Sequence, residues 1–222
     1  MFIGHFAVGF ASKRVAPRTS LGWLLAGACF PDILWPVLLL AGVETVRIDP
    51  GNTAFTPLDF VSYPISHSLL MVCVWALLVG GLYRVATGYA AGGWMLGLGV
   101  LSHWILDAIT HRPDMPLFPW GEGPKVGLDL WRSVPATVVV ESMMFAGGLL
   151  VYQRATRARD GAGRWGYVGF VALLGVMYVA DALGPPPPSV TAIGWVSLAM
   201  SLLFFWAAWL DRHREVVAGG AA

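Results

Sequence analysis

The sequence predicts an all-α, polytopic membrane protein: a bundle of about six transmembrane helices behind a short N-terminal helix that is half-inserted or interfacial. Three observations carry this prediction. Of 222 residues, 57% are hydrophobic and 12% charged, and that charged share is roughly half the share usual in soluble domains. Mean hydropathy is +0.67. The apolar residues fall in long blocks of membrane-spanning length, separated by proline, glycine and charge.

The elements follow in order. Residues 2–12 are apolar but too short to span, and they end at Lys13 and Arg14. No basic stretch precedes them and no cleavage site follows, so they read as mature sequence rather than a signal peptide. The first span covers 21–42 and is expected to break near Asp32, because Pro31 and Pro36 remove backbone donors. A polar loop covers 43–64. The second span, 65–86, opens at the segment PISHS around His67. The third, 89–111, stops before Pro113. A long loop, 112–133, holds Pro116, Pro119, Gly121, Gly123 and Pro124. Ser133 is placed to cap the fourth span, 135–153, with Pro135 in its first turn. The fifth, 165–183, ends at Gly184 and the run Pro185 to Pro188. The sixth, 190–210, leads into the polar tail DRHRE. The glycines of GYAAGGWMLGLG read as helix-packing residues. There is no internal repeat and no separate soluble domain. Residues 1–222 therefore form one membrane domain, with a core at 1–153 and two further spans plus a tail at 154–222.

Basic residues set the expected orientation. Lys13, Arg14, Arg18, Arg84, Arg154, Arg157, Arg159, Arg164, Arg212 and Arg214 fall on one side of a six-span topology. Arg47, Arg112, Lys125 and Arg132 fall on the other. This asymmetry predicts cytoplasmic termini. A net charge of +1 gives no reason to expect nucleic-acid binding. Cys29 and Cys73 lie in apolar runs and read as buried thiols, neither a disulfide nor a zinc motif.

The strongest chemical signal is the run GLGVLSHWILDAITHRPD. His103, Asp107 and His111 are spaced one turn apart, so a continuous helix would point all three to one side. Imidazole and carboxylate are ligands for zinc and similar ions. An intramembrane charge costs roughly 2.5–3.5 kcal/mol on insertion scales, whereas structural zinc binding returns roughly 10–16 kcal/mol. A metal site therefore accounts for the row economically. His67 would join it, because an antiparallel hairpin brings its end of the second span beside His111. Asp32 in the middle of a broken span and Glu141, two turns into the fourth span, are further buried carboxylates needing partners. His5 is a fourth candidate to join the row. Asp181 reads as an interfacial cap, His213 as a solvated tail residue, and Glu44, Asp49, Asp59, Glu122 and Asp129 as solvated loop carboxylates. Ser66, Ser68 and Ser102 each adjoin a histidine, but adjacent helical residues point about 100° apart, which argues against a Ser–His dyad.

The ordered set of His5, Asp32, His67, the stretch SHWILDAITHRPD at 102–114 and Glu141 resembles the YdjM-like membrane-bound metal-dependent hydrolases. The resemblance covers about the first 150 residues and implies a bacterial inner-membrane location and metal-dependent hydrolysis. A more distant likeness links the chain to zinc-dependent phospholipase C, whose ligands follow a similar order. Carried over, Asp32, His67, His103 and Asp107 would form one site, Asp107 would bridge to a second ion near His5, and His111 with Glu141 would hold another. The likeness departs at Thr137, where a histidine would be needed, and in the lack of an amino-terminal tryptophan. One or two ions, expected as zinc, are implied.

The expected function is hydrolysis by a metal-activated water on a lipid or phosphoester substrate drawn from the membrane. Glu141 or Asp32 would act as general base if not a ligand, and Arg112 and Asp114 would meet the substrate headgroup. A metal or proton transporter and a non-catalytic, metal-stapled membrane protein are the alternatives.

Overall fold

A computed structural model describes residues 1–120 and 123–217 of the chain. Gly121 and Glu122, expected in the long loop, lie outside the described residues. Helix α1 covers Ile3–Ser12. Ten residues rise about 15 Å, half of a bilayer core, and nearly all of them are buried. The helix is thus inserted into the bundle rather than laid on its surface. Phe10 packs edge-on against Phe145, Tyr152 and Phe170.

Helices α2 (Leu21–Ala28) and α3 (Phe30–Leu40) meet at 61°, so the first span is broken as its prolines predict. Pro31 sits in the first turn of α3, where its missing N–H costs nothing. The polar loop contains an unexpected antiparallel hairpin, β1 (Thr45–Ile48) with β2 (Leu58–Ser62). A single turn, α4 (Pro64–His67), precedes α5 (Leu69–Thr87), whose N-terminus is capped by Ser68. Gly88, at φ +67°, ends α5 and turns the chain into α6 (Ala90–Thr110).

Helices α5 and α6 pack backbone to backbone: a Cβ on Gly80 would lie 2.5 Å from the Gly93 carbonyl oxygen. The glycines act here as predicted. A short pair, β3 (Met115–Pro116) with β4 (Lys125–Val126), and a 3-10 turn at Leu130–Arg132 lead to α7 (Val134–Ala155). Ser133 caps α7 and Pro135 lies in its first turn, as expected. Strand β5 (Thr156–Ala158), α8 (Gly161–Leu183), α9 (Val190–Met200), α10 (Leu202–Arg212) and β6 (Arg214–Val216) complete the described chain, with β5 and β6 paired.

Among the described residues, four helical stretches are long and apolar enough to cross a membrane: Leu69–Thr87, Val134–Ala155, Gly161–Leu183 and Val190–Arg212. The bent pair α2–α3 makes a fifth. Exposed apolar side chains such as Leu77, Leu82 and Val85 on α5 suit contact with lipid tails. Helix α6, expected as a sixth span, has the length at 21 residues but not the apolarity. His103 and Asp107 dilute it, and these side chains face inward.

The basic residues gather at one end of the bundle. Lys13 reaches Asp211 at 2.7 Å, His213 meets Asp160 at 2.8 Å, and Arg18 lies over Tyr89. Met1 is at the opposite end of α1, drawn inward rather than lying with Lys13 and Arg14. Its amino group donates to Asp107 Oδ1 at 2.6 Å. Cys29 and Cys73 are both free; Cys29 is buried and Cys73 half-buried.

Candidate metal centre

The centre forms where α1, α3, α4 and α6 meet. Each element supplies its residue for a local reason. The break at Cys29 puts Asp32 in the first turn of α3, where a carboxylate complements the exposed amides of a helix N-terminus. The single turn α4 ends on His67 before the chain re-enters helix at Ser68. His103 and Asp107, one turn apart on α6, are both buried. The insertion of α1 brings up His5, also buried.

His103 Nε2 lies 3.1 Å from Asp107 Oδ2 and 3.6 Å from Asp32 Oδ1. His67 Nε2 lies 3.6 Å from Asp32 Oδ1 and 3.8 Å from Asp107 Oδ2. His5 Nε2 lies 3.0 Å from the other oxygen, Asp107 Oδ1. Two potential ligand triads result, His5–His103–Asp107 and Asp32–His67–His103, each with its ligand atoms within 4.8 Å of one another. They share His103.

These residues fit a divalent ion. Ligands about 2.0–2.1 Å from a tetrahedral ion lie roughly 3.3–3.5 Å from one another. Contacts of 3.6 and 3.8 Å are too long for hydrogen bonds but near the spacing of atoms that share an ion. His103 adds a second argument. Its Nδ1 donates to the Ala28 carbonyl at 2.9 Å, so in the neutral ring Nε2 is a bare lone pair. That buried nitrogen has no hydrogen-bond partner. The Met1 amino group donates to Asp107 Oδ1 and Thr110 Oγ1 and leaves this nitrogen unmet, and a lone pair turned towards Asp107 Oδ2 and Asp32 is unfavourable unless a further cation joins them. Imidazole with carboxylate is a donor set that Zn²⁺ accepts.

Glu141 is fully buried. Its Oε2 accepts from Phe2 N at 2.8 Å and Gly4 N at 3.3 Å, where α1 begins. Its Oε1 has no hydrogen-bond partner among the described residues. A cavity of about 440 Å³ joins Asp32, His67, Asp107, His111 and Glu141 to an apolar wall that includes Phe2, Phe60, Met177 and Met200. Asp181, read as an interfacial cap, also lines this cavity.

His111 departs from the helical row. Helix α6 ends at Thr110, and His111 takes an extended conformation, φ −65° and ψ 148°. The eight-residue spacing from His103 therefore no longer fixes its direction. Its Nδ1 meets Asp114 Oδ1 at 3.0 Å. It lines the cavity with Glu141, but no third ligand joins these two among the described residues.

Arg112 and Asp114, expected at a headgroup, are engaged with protein. The Arg112 guanidinium pairs with Asp59 and, at 3.0 Å, with Asp114. Asp114 also accepts from Tyr63 Oη at 2.8 Å. Burial pushes the Asp114 carboxyl up, but bonds from His111, Tyr63 and Arg112 outweigh this and hold it below the usual carboxylate range. Neither residue lines the cavity at the centre. Arg112 instead faces a groove of about 540 Å³ with Asn52, Asp129 and Arg132.

Two sequence readings fail here. Glu44, expected as a solvated loop carboxylate, is buried. Ser66 does contact its neighbour: Oγ lies 2.7 Å from His67 Nδ1. The 100° separation applies within a regular helix, whereas α4 is a single turn. The only signal for Glu44 was an acidic residue soon after an apolar span, which solvent explains equally well.

No curated protein and no solved structure matches the chain. The family model described as YdjM inner membrane protein matches residues 1–183. The matched stretch runs to the end of α8, so it includes every residue of both triads and Glu141, and leaves out α9 and α10. With its apolar spans and a match over most of its length, this multi-pass membrane protein belongs to the YdjM family of inner membrane proteins.

Proposed function

We infer that the chain is an integral-membrane, metal-dependent hydrolase acting on an amphiphilic substrate, a phosphoester or another lipid ester. The observation that carries this reading is the pair of triads sharing His103, set at one end of a largely apolar cavity. The ligand order, which resembles that of zinc-dependent phospholipase C, favours a phosphoester. Asp32, His67, His103 and Asp107 would hold one ion, and Asp107 Oδ1 with His5 would reach a second by displacing the Met1 amino group that donates to that oxygen. Zn²⁺ suits the donor set best. When bound, the ion supplies Lewis acidity and an acidified water.

The chain's own groups have distinct roles in this reading. Glu141 is held through Oε2 and keeps Oε1 free, an arrangement suited to taking a proton. The apolar wall excludes bulk water and offers room for an acyl chain. It reaches Met177 and Ala180 of α8 and Val196 and Met200 of α9, helices that would border lipid, so the substrate would enter sideways. Arg112, already paired twice and facing a separate groove, has no direct role at the centre in this reading. In this reading the basic end of the bundle would lie in the cytoplasm of a bacterial cell, which the excess of Lys and Arg there supports, and the centre would lie towards the opposite face.

The test is metal content after chelator-free purification, followed by cleavage of labelled phospholipids in vesicles. Near-stoichiometric metal and cleavage are expected, and both should be lost in His103→Ala. Metal-free wild-type protein would sink the reading. Metal without cleavage would favour a metal-stapled structural protein, and ion uptake into vesicles a transporter.

A further inference from the structure

Glu44 follows α3 and points back beneath α4. Its Oε1 accepts from Ile65 N at 2.7 Å and Ser66 N at 2.8 Å. Its Oε2 accepts from Ser66 Oγ at 2.5 Å. Three donors thus converge on one buried carboxylate, which as an ionised group has only acceptors. Ser66 has a single hydroxyl hydrogen, and Glu44 takes it. The 2.7 Å contact between Ser66 Oγ and His67 Nδ1 must then run the other way, with Nδ1–H donating to the hydroxyl oxygen. In the neutral ring that leaves His67 Nε2 as a lone pair, beside Asp32 and Asp107 at the centre.

We propose that Glu44 is a positioning residue that acts through Ser66: it fixes the Nδ1–H tautomer of His67 and so sets the affinity of the centre for a divalent ion. The proposal rests on the metal-centre reading above. His103 and His111 are anchored at Nδ1 as well, by the Ala28 carbonyl and by Asp114. A carbonyl oxygen cannot donate, so the His103 link has one direction. The His67 link passes through a hydroxyl, which can turn either way. The group behind the hydroxyl therefore decides which nitrogen of His67 carries the proton. Partners of this kind, one bond behind a ligand, typically change metal affinity 10–100-fold.

Glu44→Gln is the informative variant. The two backbone N–H groups hold the amide oxygen, so the amide nitrogen faces Ser66. It donates to Oγ, the hydroxyl turns to His67 Nδ1, and the proton moves to Nε2, where it blocks the ion. The experiment is a chelator-competition titration with Zn²⁺ on the full chain in detergent. It is paired with ¹⁵N NMR of labelled histidine in metal-free protein, with His67 assigned by His67→Gln. Expected are a roughly 10–100-fold loss of Zn²⁺ affinity and a switch of His67 from the Nδ1–H to the Nε2–H form, with the melting temperature nearly unchanged. Unchanged affinity, or the same tautomer in both proteins, would overturn the proposal. Should Glu44→Gln fail to fold, Ser66→Ala leaves Glu44 on both amides and removes the acceptor for Nδ1–H; equal Zn²⁺ affinity there would overturn it too. If the wild type binds no Zn²⁺, the metal reading itself fails, and the tautomer comparison still decides the relay.

Discussion

The imidazole rings of His5 and His103 stack face to face, 3.7 Å between centroids and 9° between planes. The stack hands each oxygen of Asp107 its own histidine: Oδ1 to His5 at 3.0 Å and Oδ2 to His103 at 3.1 Å. A carboxylate shared in this way can bridge two ions. His103 belongs to both triads and His5 to one. The two variants should therefore differ. His103 offers one free nitrogen, Nε2, and so holds one ion at a time; elemental analysis is expected to find only the ion on the His5 side lost in His5→Ala, and the ion between Asp32, His67 and His103 lost in His103→Ala. Loss of all metal in His5→Ala would argue against two positions bridged by Asp107.

Bound metal should also hold the bundle together, because its ligands come from α1, α3, α4 and α6. An ion present at about 100 times its Kd adds roughly 2.7 kcal/mol. For a chain of this size that corresponds to about 5–10 °C in melting temperature. Stripping the protein with a strong chelator should lower the midpoint by this amount, and restoring Zn²⁺ should recover it. His103→Ala should melt at the same temperature with or without chelator. A chelator effect that persists in that variant would place the stabilising ion elsewhere.

The position of His5 depends on how closely α1 approaches α7. A Cβ on Gly148 would lie 2.5 Å from the Ala7 carbonyl oxygen and 2.7 Å from Ala7 Cα, both rigid backbone atoms. A Cβ on the adjacent Gly147 would meet nothing within 4 Å. Gly148→Ala must push α1 outward and is expected to cost about 1–3 kcal/mol, with partial loss of metal as His5 retreats from Asp107. Gly147→Ala should be neutral or slightly stabilising through helix propensity. Thermal melts of the two variants, one residue apart, check this directly. Similar stability would mean that α1 is not clamped by α7.

Much of the centre was legible in the sequence because its geometry is local. A helix imposes the four-residue spacing of His103 and Asp107, and Pro31 announces the break that exposes Asp32. His111 marks where such reasoning stops: periodicity holds only while the helix lasts, and α6 ends one residue earlier. Glu44 was hidden for a different reason. Its three donors come from residues more than twenty positions away, and nothing in a polar loop distinguishes a carboxylate that will be buried from one that stays in water. The β1–β2 hairpin was missed because its strands are four and five residues long and only weakly alternating. The count of spans differs for a chemical reason, since the polar groups that α6 turns towards the candidate centre also lower its hydropathy.

Glu141 offers the sharpest test of hydrolysis, because one of its oxygens is occupied and the other is not. Oε2 caps the start of α1 through Phe2 N and Gly4 N, while Oε1 is buried without a partner beside the cavity. Glu141→Gln can keep its amide oxygen on both backbone donors, so α1 should stay in place. The amide nitrogen that replaces Oε1 cannot take a proton. If Glu141 is the general base, cleavage of labelled phospholipid vesicles should fall about 10²–10⁴-fold while metal content and melting temperature stay near wild type. Glu141→Ala is the contrasting variant: it leaves two buried N–H groups unpaired, at about 1–3 kcal/mol each, and should lose stability as well as activity. A Glu141→Gln protein that loses metal along with its rate would make this carboxylate a ligand instead. One that cleaves at the wild-type rate would leave the proton to Asp32, a half-exposed carboxylate that also borders the cavity and would then be a base and not a ligand.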